Sequence, residues 1–273
     1  DYFNQYLCLK EKRRTAIEGK VLAMYASEMS QRDISDITDA ILPGLKEWKN
    51  RPLQKCYPFL FVDCMYLLDK IMSNSMCYVI LGNDIEGRKE ILDYGYLRVK
   101  VESVDAIFDE LKTRVLENIF FISMDGISGL ESAKTIFPNL VAQHCIVHLI
   151  RNSCKYLSYK YRKEFCKDLR TVYTASISDK ALEALDSVKV NGGDKYPYAF
   201  KPWEENWNEV CSMFNYVPEL RKIMYTTNAI ESLNSAFRKF TKIRTVFPTD
   251  ESLFKSLYLA QDKIKSKLEC PIW

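Results

Sequence analysis

Residues 57–68, YPFLFVDCMYLL, form an apolar run with a carboxylate, Asp63, at its centre. A second apolar run, NIFFISMDG (118–126), ends in Asp125, and far downstream TTNAIESLNSAFRKF (226–240) carries Glu231 near its start. Burying an ionised carboxylate is costly unless it is paired or bound to a metal. Three carboxylates on two strands and a helix, at element ends or core positions, therefore predict a divalent-metal site. Hard cations take oxygen ligands, and two of them held about 4 Å apart between carboxylates catalyse phosphoryl transfer. Each residue also has a plainer reading. Asp63 could end a shorter strand, Asp125 before Gly126 could start a turn, and Glu231 could complete an Asn-x-x-Glu capping box opened by Asn228. Only the three together, in this order of elements, favour the metal site.

His144 and His148 are the two histidines of the chain, and Cys145 precedes His148 by three positions. That spacing is half of a zinc site, but no second pair follows at ligand spacing, so structural zinc is not expected. A buried thiol beside a helix-start histidine is the plain alternative. A Cys–His nucleophilic pair needs a geometry that neighbours on one short segment rarely give. The stretch RNSCKYLSYKYRKEFCKDLRTVY (151–173) carries Arg151, Lys155, Lys160, Arg162, Lys163, Lys167 and Arg170. Lysine and arginine contact phosphates, and interleaved tyrosines can stack on unpaired bases. A solvated helical face with its tyrosines packed inward accounts for the same residues, and both readings stay open. Arg238, Lys239, Lys242 and Arg244 follow Glu231 closely, which favours DNA contact there.

The scaffold that must position these groups is legible in outline. Residues 10–29 have helical period, with Ile17, Val21, Met24 and Tyr25 on one face. Ser30 opens a short helix that Pro43 is expected to end, and 45–56 reads as a polar connector. Strands are predicted at 57–67, 76–82 and about 88–97, with Asn83, Asp84 and Gly87 turning the second into the third. A helix at 102–114, a strand at 118–125 and a helix near 129–136 follow, and 140–150 begins as a strand and turns helical. In this α/β order the first and fourth strands can lie side by side, making Asp63 and Asp125 neighbours. From about 150 to 225 strand signals vanish, and helices broken at Asn191-Gly192-Gly193, Pro197, Pro202 and Pro218 read as an insertion. Two helices, about 228–243 and 250–268, close the chain.

Composition bounds the rest. With 47% apolar and 13% aromatic residues the chain is core-forming rather than disordered. A net charge of +3 comes from many charges of both signs, so any basic surface must be local. Nine cysteines without a CxxC pair, scattered through apolar stretches, are expected as reduced intracellular thiols. No apolar run is long enough to span a bilayer, and the first residues lack a signal-peptide pattern. The chain lacks an initiating Met and is expected to be a fragment of a cytoplasmic or nucleoid-associated protein.

Several segments resemble one family, the Mutator-type transposases of bacterial insertion sequences. They are YPFLFVDCMY, YVILGNDIEGRKEIL, FISMDGISG, the run from FPNLVAQHCIVHLIRN to RTVYTA, KYPYAFKPWEENW and RKIMYTTNAIESLNSAFRKFTKIRTVFP. The resemblance implies an RNase H-like α/β core, a mixed sheet with flanking helices, interrupted by an all-helical insertion. It implies a helical N-terminal remnant of a DNA-binding region (1–44), a core in two parts (45–150 and 226–273) and the insertion at 151–225. It implies a DDE triad of Asp63, Asp125 and Glu231 holding Mg²⁺, with Mn²⁺ as substitute. Cys145, His148 and Asn234 fall on the family's supporting positions. The implied activity is cleavage and strand transfer of double-stranded DNA at transposon ends, by a homo-oligomer at the bacterial nucleoid, with no membrane. Arg151, Lys155, Arg162, Lys163, Arg238 and Lys242 are the expected phosphate contacts. The chain departs from relatives between Ser35 and Asp36, where they carry a further helix, around Tyr66 and across 93–108. These departures leave two alternatives: a catalytically idle DNA-binding or dimerisation remnant, and a metal-dependent nuclease that does not transpose.

Overall fold

The computed structural model describes residues 41–66, 75–98, 104–125, 127–192, 195–225, 230, 231, 233–235, 237, 238 and 250–268. The helices expected before residue 41, the gap at 35–36, Asn228 and Lys242 lie outside these. The architecture is mixed α/β. β1 (Cys56–Tyr66), β2 (Ser75–Asn83) and β3 (Lys89–Arg98) form an antiparallel meander. β4 (Asn118–Met124) lies parallel to β1 on its other side, and β5 (Val141–His144) is parallel to β4. The order is β3-β2-β1-β4-β5, so the first and fourth strands are neighbours as expected. Parallel neighbours cannot be joined by a hairpin. Helices α2 (Val104–Thr113) and α3 (Ile127–Ile136) therefore carry the chain across.

Strand alternation sorts the core onto two faces. Leu60, Val62, Ile80, Leu92 and Ile122 meet Phe108 and Leu111 of α2 and Ala133 of α3. Phe59, Phe61, Val79 and Phe121 point the other way, into a larger helical layer. Asp63, two residues beyond Phe61, falls on that second side.

The second layer contains α1 (Leu42–Asn50), α4 (Ile146–Cys154), α5 (Tyr159–Tyr173), α6 (Ser178–Gly192), α7 (Lys201–Glu205), α8 (Trp207–Cys211) and α9 (Pro218–Tyr225). Helical residues between 230 and 238 and the closing helix α10 (Asp250–Leu268) complete it. Phe165, Leu169 and Val172 of α5 pack with Ala181, Leu185 and Val188 of α6 around the fully buried Trp203. The Trp203 indole N–H donates to Ser153 Oγ at 3.1 Å, which ties the helical block to α4. α4 spans the boundary expected between 150 and 151. Among the described residues no helix is long and apolar enough to cross a membrane.

Two local expectations are corrected. Pro43 does not end a helix; it sits in the first turn of α1, where its missing N–H costs no hydrogen bond. The supposed polar connector that follows is largely this helix. Leu45 is buried and Trp48 stacks on Tyr94 at 4.7 Å, so two apolar residues three apart anchor an otherwise polar segment. The turn at 83–88 is as expected. Asp84 Oδ1 accepts the amide N–H groups of Glu86 and Arg88 at 2.9 and 2.8 Å, and Gly87 supplies the positive φ of 77°.

Candidate active site

β1 delivers Asp63 near the carboxyl end of the strand pair it forms with β4. The parallel register sets Val62 beside Met124, so Asp63 and Asp125, one residue further along each chain, come out of the sheet abreast. Their environments differ. Asp63 is 4% exposed, whereas Asp125 stands exposed beyond the end of β4. Ser123, paired with Phe61 across the strands, shares the face of Asp63.

Two helices close over this face. Cys145 precedes α4, and Ile146, Leu149 and Ser153 turn into the core. His148 and Arg151, three apart, therefore share the neighbouring face and look toward β1. The second helix packs through Ile230, Leu233 and Phe237, all buried. Glu231, Asn234 and Arg238, spaced i, i+3, i+7, form the adjacent stripe. Together these elements border a small, partly open cleft lined by Asp63, Ser123, Cys145, His148, Arg151 and Glu231, with Phe61, Val62, Val147 and Ile230 as its apolar walls.

The polar contacts within the cleft are specific. Asn234 donates its side-chain N–H to Asp63 Oδ2. His148 Nε2 lies 3.4 Å from Asp63 Oδ1. That oxygen has no hydrogen-bond partner among the described residues. Burial raises the Asp63 pKa above the ordinary aspartate range, against the opposing pull of His148, the Cys64 amide, Arg151 and Arg238. Glu231 is ion-paired with Arg151. Burial pushes the Cys145 thiol up to about 11, so it is protonated at neutral pH and is a poor nucleophile. Burial likewise raises the Cys64 thiol to about 12, with the charges of Asp63 and Asp125 adding to it. His144, also buried, has its pKa lowered by desolvation.

The structure thus brings Asp63, Glu231, Cys145, His148 and Asn234 to one place, with Asp125 beside it but outside the lining. Among the described residues no group of three or more His, Cys, Asp or Glu is close enough to hold a metal ion. The basic residues read as phosphate contacts divide. Arg151, expected as a phosphate contact, borders the cleft and is ion-paired with Glu231. Arg162 Nε donates to the Leu157 carbonyl at 3.2 Å and Lys155 Nζ to Asn152 Oδ1 at 2.7 Å, while Lys163 and Arg238 are exposed. Ser123 was readable from strand alternation, as it sits two residues before Asp125 on the cleft side. The Arg151–Glu231 pair joins residues far apart in the chain, and no local pattern announces it.

The comparisons with known proteins agree with one another. The sequence model of the family described as "Transposase, Mutator family" matches residues 13–268. The transposase for insertion sequence element ISRM3 of Rhizobium meliloti is 38% identical over 89% of this chain and 62% of its own length. A probable insertion-sequence transposase of Corynebacterium diphtheriae is 35% identical over 94% of this chain and 81% of its own. The transposase for IS256 in transposon Tn4001 of Staphylococcus aureus is 27% identical over 89% and 68% respectively. The chain therefore spans less than two thirds of the length of some relatives, 62% in the Rhizobium case.

Proposed function

The chain belongs to the Mutator family of transposases, and from that premise we propose that it carries the catalytic core of a DNA-cleaving and strand-transferring enzyme. The five-stranded sheet with its flanking helices is read as an RNase H-like core, and 151–225 as its helical insertion. Residues 1–44 are assigned to a DNA-binding region and 226–273 to the completion of the core. Asp63, Asp125 and Glu231 form the reacting centre, and double-stranded DNA at transposon ends and targets is the substrate. A homo-oligomer is the proposed active form, working at the nucleoid in the cytoplasm.

The observation that carries this reading is the buried Asp63 oxygen that has no hydrogen-bond partner among the described residues and faces a cleft in which Glu231 also sits. Its chemistry fits a hard divalent cation, as do Asp125 beside it and Glu231 across the cleft. A pair of Mg²⁺ ions, or Mn²⁺ in their place, would activate the attacking oxygen and stabilise the leaving one. The chain's own residues do the rest. Asn234 fixes the rotamer of Asp63 by binding Oδ2, which leaves Oδ1 turned to the cleft. Cys145 and Ser123 form a floor that keeps bulk water from the back of the carboxylate. Arg151 holds Glu231 on the facing helix, and its charge, with that of Arg238, draws a phosphate toward the site.

Cleavage of a plasmid carrying an insertion-sequence end, with Mg²⁺, tests the assignment. Asp63→Asn, Asp125→Asn and Glu231→Gln should each lose cleavage and strand transfer by orders of magnitude while keeping the parent's circular dichroism. Cleavage within a few-fold of the parent by any of them removes that residue from the triad.

A further inference from the structure

We propose that the tyrosines of the helical block form a docking surface for an unpaired DNA strand, beyond the duplex handling assigned above. Tyr156, Tyr159 and Tyr161 come from the start of α5 and the turn before it, and Tyr196 and Tyr198 from the segment just before α7. Tyr196 packs partly against the core, and the other four stand exposed. Tyr156 is 53% exposed, Tyr198 65% and Tyr159 88%. Tyr156 and Tyr198 lie 6.0 Å apart between ring centroids, and Tyr161 and Tyr196 5.7 Å apart, so two ring pairs join the two segments. An exposed ring offers the π-face on which a base stacks, and bases inside a duplex have no free face to offer.

Charge selects the occupant. Between residues 155 and 163 the chain holds Lys155, Lys160, Arg162 and Lys163 and no acid, and the first acid is Glu164. Lys195 flanks the second segment, where Lys201 is turned to Glu205 at 3.5 Å. Lys160, Lys163 and Lys195 are exposed and have no ion-pair partner among the described residues. Lysine is depleted from protein–protein interfaces but is the usual phosphate contact of nucleic-acid surfaces, so rings set among lysines fit a single strand better than a second copy of the chain. Arg151 of the cleft and Tyr156 are five residues apart along α4 and the turn that ends it. The patch thus begins within roughly two helical turns of the cleft, on the order of 10 Å, close enough for a strand freed there to reach it.

Metal-free fluorescence anisotropy of the 273-residue chain reads this surface separately from catalysis. The probe is a labelled oligothymidylate of about 15 nucleotides, set against a duplex of the same length. The double substitution Tyr156→Ala with Tyr198→Ala should weaken single-strand binding roughly tenfold or more and leave duplex binding unchanged. Tyr156→Phe with Tyr198→Phe, which keeps both rings, should bind like the parent. Unchanged single-strand affinity in the alanine variant, at an unchanged melting temperature, overturns the proposal. So does loss of self-association in sedimentation without loss of single-strand binding, which would make the surface an interface between copies. Loss of cleavage in the triad variants with single-strand binding intact leaves this proposal standing.

Discussion

Asp63 on β1 and Asp93 on β3 are both aspartates buried in the same sheet, 4% and 0% exposed, and the fold treats them in opposite ways. Asp93 is given a cation and a hydroxyl from within. The Lys49 ammonium from α1 lies 2.9 Å from its Oδ1, and the Tyr78 hydroxyl donates to Oδ2 at 3.1 Å. Lys49 is itself held by the Tyr94 carbonyl at 2.8 Å and by the ring of Phe254, 4.7 Å away. Asp63 receives the Asn234 amide on one oxygen, and its other oxygen, 3.4 Å from His148 Nε2, has no hydrogen-bond partner among the described residues and looks into a cleft. A buried carboxylate given its own cation serves the fold. One with an oxygen turned to a cleft, a second carboxylate abreast and a third across the cleft is the one proposed above to serve a cation from outside the chain.

The contrast can be broken first by activity. Asp63→Asn should reduce metal-dependent DNA cleavage by orders of magnitude, whereas Asp93→Asn should leave the specific rate of whatever protein remains folded near that of the parent. Equal losses in the two variants would remove the distinction. Stability should reverse the order. Asp93→Ala strands the Lys49 charge against the sheet and should cost about 3 kcal/mol, the lower end for breaking a buried pair because Lys49 keeps some solvent. A urea midpoint unchanged by that substitution would contradict the pairing.

A smaller effect of opposite sign is expected at Asp63. Burial raises its folded-state pKa, so the folded state holds a proton over a range where the unfolded state has released it. Stability therefore falls as pH rises from the unfolded aspartate value through the folded one, and the penalty is fully present above both. Asp63→Asn removes the penalty and should gain about 1 kcal/mol at neutral pH in metal-free buffer. The gain should fade as the pH is lowered below the unfolded aspartate value toward about 3, where the parent carboxyl is mostly protonated in both states. A gain that persists at low pH would trace to packing instead of charge.

Much of this was legible in the sequence. Alternation and turn residues place β1, β2 and β3 within a residue or so, because each strand buries at least one face and Asp84 and Gly87 impose a defined turn. The adjacency of β1 and β4, and with it that of Asp63 and Asp125, follows from the element order. Asp93 escaped notice because its partner Lys49 lies in a segment whose composition reads as a connector. The helical character of α1 rests on Leu45 and Trp48 meeting the sheet and α10, a tertiary effect that polar residues around them conceal. Arg151 was legible as a basic residue but not as the holder of Glu231, since a helix face announces its neighbours only at spacings of three and four.

The central claim, that Asp63 is held open for a divalent cation while Asp93 is not, is tested most directly by thermal unfolding with and without Mg²⁺ or Mn²⁺. Saturating metal should raise the melting temperature of the parent and of Asp93→Asn by about 2 °C or more, since a ligand that binds only the folded state stabilises it. Asp63→Asn should show no rise at the same concentrations. A rise of equal size in Asp63→Asn would contradict the account.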